Sequence, residues 1–127
     1  EKVYFRTGSA KLQKRSWALL DHVASVMNAH PEIRHVRVEG HTDSTGKLNY
    51  NMRLSKARAD TVVRYLVGRG KVDPARLTAE GYGPTQPLVP DAKTKEELAQ
   101  NRRVEFVVTD VDESVESEFK EGDVYRK

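Results

Sequence analysis

His35-Val36-Arg37-Val38-Glu39-Gly40-His41-Thr42-Asp43-Ser44-Thr45-Gly46 is the stretch that decides the fold. In its first half Val36 and Val38 face one way, and His35, Arg37 and Glu39 face the other, so residues 35–40 read as a strand. Small polar residues then take over, and 41–46 reads as a loop at the strand's end. Beyond the loop the period changes. Leu54, Val62, Tyr65 and Leu66 recur at helical spacing, which predicts a helix from about residue 49 or 51 to 67, ended near Gly68 and Gly70. Strand, polar loop and long helix in succession indicate a helix packed on a sheet.

The flanks extend this pattern. Val3-Tyr4-Phe5 is a short β-prone start, and Thr7-Gly8-Ser9 reads as a turn. Residues 11–29 carry Leu12, Leu19, Leu20, Val23, Val26 and Met27 at helical spacing, stopped by Pro31. Asp73-Pro74-Ala75-Arg76 reads as one tight helical turn, and 77–82 alternates as a strand. Pro84, Pro87 and Pro90 make 83–94 a surface loop. Thr94 with Glu97 three residues on is a capping box for a short helix over 94–100. Val104, Phe106 and Val108 place a last strand at 103–109. The order β-α-β-α-β-(short α)-β predicts an α/β two-layer sandwich, a four-stranded mixed sheet covered by helices.

With 127 residues the chain has the size of one domain. The domain is expected over 1–109, with 110–127 as an acidic tail, disordered or extended. That tail holds seven acidic and three basic residues, net −4, against 19 basic and 12 acidic in the rest, net +7. The basic body suits an anionic or carboxylate-bearing partner, or serves solubility alone. There is no cysteine, which removes disulfides, thiolate metal sites and a cysteine nucleophile. No apolar run approaches membrane-spanning length. The chain begins at Glu1 without methionine or leader, as expected of a piece of a longer protein.

One residue breaks the pattern of the long helix. At about 100° per residue, with Leu54 at 0°, Tyr65 falls near 20°, Arg58 near 40°, Asn51 near 60° and Val62 near 80°. Arg58 therefore sits inside the apolar stripe, with Asn51 two turns earlier on the same face. A guanidinium there either snorkels to water or meets an anion. The nearest anion along the chain is Asp43. The two could form a structural salt bridge that pins the loop. They could also flank a zwitterion, the carboxylate holding an ammonium and the guanidinium a carboxylate. Periodicity does not choose between these.

Several separate blocks carry a family resemblance. They are Gly40-His41-Thr42-Asp43-Ser44-Thr45-Gly46, then Asn51-x-x-Leu54-Ser55-x-x-Arg58-Ala59-x-x-Val62, Gly81-Tyr82-Gly83, Pro87, and Asn101-Arg102-Arg103-Val104. In order and spacing they strongly resemble the OmpA-like peptidoglycan-binding domain, over about residues 3 to 109. The resemblance implies a non-catalytic domain that grips the peptide stem of peptidoglycan at meso-diaminopimelate. It assigns the ammonium to Asp43 and the carboxylate to Arg58. It further implies that Phe5, Thr7 and Thr45 line the groove, and that Asn51 hydrogen-bonds the ligand or the Asp43 loop. Leu54 would wall the ligand's methylenes, and Arg102 would reach the ligand or support the last strand. It places the domain in the periplasm, its parent protein in or on the outer membrane of a Gram-negative cell. The alternative is a protein–protein interaction module of the envelope in which Asp43–Arg58 is structural.

Other functions find little support. His41 and Asp43 form a His-x-Asp, but His22, His30 and His35 have no spacing that completes three ligands, so neither metal nor cofactor is expected. No serine stands in Gly-x-Ser-x-Gly, and no phosphate loop, aromatic RNA-binding motif or dense basic stripe points to nucleic acid.

Overall fold

The computed structural model describes residues 2–127. A 3-10 turn at Lys14–Ser16 leads into α1 (Trp17–Ala29). Then follow β1 (Ile33–His41), α2 (Leu48–Gly68), a 3-10 turn at Pro74–Arg76, β2 (Leu77–Gly83), α3 (Lys95–Asn101), β3 (Arg103–Val111) and β4 (Val124–Arg126). The sheet runs β2-β1-β3-β4. β1 is parallel to β2 and antiparallel to β3, and β4 lies antiparallel to β3. The fold is thus mixed α/β on a four-stranded mixed sheet.

The helices arise where the sequence signals them. Asp73 accepts from the Ala75 N–H ahead of its 3-10 turn, and Thr94 and Glu97 form a complete capping box on α3. α2 is the parallel crossover between β1 and β2, and its buried face is Asn51, Ser55, Ala59, Val62 and Leu66. Those last two meet Leu20, Val38, Val72 and Val104 in the core.

α2 lies unusually close to the sheet, and Gly40 is the reason. A Cβ built on Gly40 would stand 2.9 Å from the carbonyl carbon of Ser55 and closer still to its oxygen. Gly81 meets the Lys56 Cα in the same way, at 2.5 Å. Ser55, fully buried, uses this proximity: its hydroxyl accepts from the Gly83 N–H at 2.9 Å and donates to the Met52 carbonyl. The end of β2 and the middle of α2 are therefore locked together beside the loop that leaves β1.

Two parts differ from the sequence reading. Val3-Tyr4-Phe5 is not a sheet strand: Phe5 makes an isolated bridge to Leu12. The fourth strand comes instead from the other end of the chain. In the stretch 110–127, read as a disordered or extended tail, β3 continues to Val111 and Val124–Arg126 pairs with Glu105, Phe106 and Val107. Lys127 then donates its N–H to the Val104 carbonyl (2.8 Å) and accepts from the Val3 N–H (2.7 Å). The C-terminal strand thus takes the edge of β3, and Val3 is seated one place further out. Phe119 packs on the core and edge-on to His30, which draws the polar tail onto the domain.

Candidate functional site

β1 ends in a register shift between Gly40 and His41, and the chain turns out of the sheet there. Thr42 still donates its N–H to the Gly83 carbonyl at 2.9 Å. Asp43 follows, 6% exposed. Its Oδ1 accepts from the Thr45 N–H at 2.8 Å and from the Thr45 hydroxyl. Asn51, at the start of α2, donates its amide to the Thr45 carbonyl at 2.8 Å. Gly46 supplies the positive φ (89°) that lets so short a loop turn back onto the helix. The loop is pinned from both sides, so the position of the Asp43 carboxylate is set before any ligand arrives.

The second oxygen of Asp43 is held by Arg102, whose Nη1 donates to Oδ2 at 2.5 Å. Burial alone would raise the Asp43 pKa, but the Thr45 hydrogen bonds and the Arg102 pair together hold it below the usual carboxylate value. Arg58 does not pair with Asp43. Its Nε donates to the Ser9 carbonyl at 2.9 Å, and its guanidinium lies 4.9 Å from the Phe5 ring centre. Among the described residues no carboxylate meets Arg58. Burial pulls its pKa down; Tyr50 opposes this in part, and the nearby Arg102 charge lowers it a little further. The structural Asp43–Arg58 bridge, on which the protein-interaction alternative stood, is therefore not formed. Arg102, the residue that caps the end of α3, takes that place.

Asp43, Arg58, Asn51, Thr45, Leu54, Phe5, Thr7 and Arg102 all line one open cavity of about 750 Å³. Lys2, Tyr4, Gly8 and Tyr50 line it too, and the sequence reading did not count them among the groove residues. Tyr50 donates its hydroxyl to the Gly8 carbonyl (3.3 Å), closing the groove between α2 and the N-terminal segment. Of the eight, Asn51 is committed to the loop, Phe5 supports Arg58, and Thr7 and Leu54 form wall.

Behind the groove lies a buried polar network. Strand alternation puts Arg37, Glu39 and His41 on the face opposite Val36 and Val38, and the register sets Glu39 beside Glu105 and His41 beside Arg103. Two buried carboxylates side by side require cations, and three arginines supply them. Arg37 binds Glu39 (2.7 Å), while Arg103 (2.5 Å) and Arg126 (3.2 Å) bind Glu105. Arg103 also donates to the carbonyls of Asn101 and Gln86. His41 shares its Nε2 with Glu39 (2.9 Å) and stacks on Tyr82, and burial lowers its pKa despite that carboxylate. Glu39, His41 and Glu105 converge as metal ligands could, but the arginines already compensate both carboxylates, so the cluster is an internal ion network. The serial roles of Asn101, Arg102 and Arg103 could not be read from their adjacency. Asn101 clamps Val89 of the proline-rich loop, Arg102 holds Asp43, and Arg103 holds the network.

Residues 4–102 match the OmpA family. The chain belongs to the OmpA family. The uncharacterized protein YtxE of Bacillus subtilis is 41% identical over 112 residues, 85% of this chain and 45% of that protein. The probable lipoprotein YiaD of Escherichia coli is 42% identical over 107 residues, 84% of this chain and 48% of that protein. The chain thus spans less than half the length of either curated relative. The peptidoglycan-associated lipoprotein of Burkholderia pseudomallei has a similar crystal structure, with a TM-score of 0.71 and 34% identity, covering 80% of this chain and 84% of that one. Domains of this OmpA-like kind are structural anchoring modules, not enzymes. No described helix is long and apolar enough to cross a membrane.

Proposed function

We propose that this domain binds peptidoglycan non-covalently, through the free amino-acid head group of diaminopimelate on the peptide stem. Asp43 takes the ammonium and Arg58 the carboxylate, which anchors the parent protein to the cell wall. The observation that carries this is Arg58. A half-buried guanidinium with no carboxylate among the described residues lines the same cavity as a buried, pre-set aspartate. Two opposite charges fixed on one groove suit a stereocentre bearing both an ammonium and a carboxylate. Lysine at that position of the stem lacks the carboxylate and would leave Arg58 unmet.

A grip of two charge-assisted contacts on a small ligand gives micromolar or weaker affinity, no more favourable than about −8 kcal/mol. Firm anchoring then comes from many copies on one polymer. The similarity to a peptidoglycan-associated lipoprotein supports the ligand, and the similarity to the probable lipoprotein YiaD supports a parent protein anchored to an envelope membrane, with this domain reaching the wall from the periplasm. The match to YtxE of Bacillus subtilis extends the similarity beyond Gram-negative organisms. The test is co-sedimentation with purified sacculi. Wild type pellets with them, and Arg58→Ala stays in the supernatant while keeping its circular dichroism. Equal sedimentation of the folded variant refutes the assignment.

A further inference from the structure

The charges lining the groove do not balance. Lys2, Arg58, Arg102 and Arg103 face it with Asp43 as the acidic partner, and of these cations Arg103 is compensated by Glu105 behind. Arg102 is compensated only by Asp43. If a ligand brings one ammonium to Asp43 and one carboxylate to Arg58, Arg102 loses its partner and the groove keeps Lys2 and Arg102 as excess positive charge. The groove's own residues show this field. Burial lowers the pKa of Lys2, and the charges of Arg102 and Arg103 lower it further. Lys2 cannot readily leave, because its Nζ donates to the carbonyls of Ala99 (2.9 Å) and Arg102 (2.8 Å) at the end of α3. Arg102 can move, since its side chain is 48% exposed while that of Asp43 is 8% exposed.

We propose that the groove reads one ammonium and two carboxylates, and that Arg102, displaced from Asp43 by the ligand's ammonium, takes the second carboxylate. The inference rests on the reading of the site given above and adds a ligand class to it: a stem peptide with a free carboxylate beside the diaminopimelate zwitterion. Arg102 is then a stand-in for the ligand's cation at Asp43 and, once displaced, a reader of acidity. Amidation of the neighbouring carboxylate leaves Arg102 without a partner, so an amidated wall is a poorer ligand.

The test uses a synthetic stem tripeptide ending in meso-diaminopimelate, with its carboxylates outside the zwitterion free, and the same peptide with them amidated. Wild type should bind the free form about tenfold more tightly, a half-exposed charge-assisted contact. Arg102→Gln should bind both forms alike, and Arg102→Lys should regain part of the preference. Amide spectra of the free variants show whether each is folded, and the Lys variant separates loss of charge from loss of structure. Equal binding of both peptides by wild type overturns the proposal, because Arg102 then turns to water when displaced. Tighter binding of both peptides by Arg102→Gln also overturns it, leaving Arg102 a competitor alone. If neither peptide nor free diaminopimelate shifts residues 40–58, the underlying site assignment fails as well.

Discussion

Gly40→Ala should damage both stability and binding, although Gly40 need not touch a ligand. The added Cβ would sit 2.9 Å from the Ser55 carbonyl carbon, where ordinary carbon contacts are about 3.5–4.0 Å. The obstacle is helix backbone, so it cannot rotate away. α2 must retreat by about 1 Å. Overpacking of this kind costs roughly 1–3 kcal/mol, and weakening the buried Ser55–Gly83 hydrogen bond adds about 1 kcal/mol. A total near 3 kcal/mol lowers the melting temperature of a domain of this size by about 10 °C. The same retreat moves Asn51 away from the Asp43 loop and Arg58 away from Ser9. Positions of this kind tolerate little error, and sacculus binding should fall by at least tenfold. Thermal unfolding by circular dichroism, followed by co-sedimentation at a temperature where the variant is folded, reads both effects. A variant within 2 °C of wild type (a shift of about 0.5 kcal/mol) and binding normally would show that α2 is not seated on Gly40.

Ser55→Ala leaves the Gly83 N–H buried without its acceptor, which should cost about 1–3 kcal/mol in urea unfolding; a change within measurement error would mean that N–H finds another partner. Stability should fall as pH drops below about 6.5, because buried His41 resists protonation while the unfolded chain accepts it. The urea midpoint of His41→Gln should be less pH-dependent between pH 8 and 5 than that of wild type, and identical slopes would remove His41 as the cause. Asp43 has the opposite chemistry and a depressed pKa, so its charge persists through mild acid. Binding to free diaminopimelate should hold from neutral pH to about pH 4.5 and weaken only below the ordinary carboxylate range. Loss of binding already at pH 6 would assign the controlling charge to another group.

Local patterns carried much of this fold. The alternation of 35–40, the apolar stripe of α2 and the Thr94–Glu97 capping box each depend on neighbours in sequence, and each appears where its pattern predicts. Arg58 was conspicuous for the same reason: a cation inside an apolar stripe is a local contradiction. What could not be read was pairing across the chain. Val3-Tyr4-Phe5 has better strand chemistry than Val124-Tyr125-Arg126, yet the C-terminal residues take the β3 edge and leave Val3 bonded to Lys127. Three residues cannot show a period, so β4 had no signature. Asp43 likewise pairs with Arg102, 59 positions away, and not with Arg58. Gly40 and Gly81 are legible only once α2 is known to lie over them.

The central claim is that Asp43 and Arg58 hold the two charges of one diaminopimelate head group. An NMR titration of the labelled domain with free meso-diaminopimelate, beside lysine, tests it most directly. Shifts concentrated on Asp43, Thr45, Asn51 and Arg58 with diaminopimelate, and much weaker ones with lysine, are the predicted result. Equal shifts with both ligands, or none at these residues with either, would contradict it.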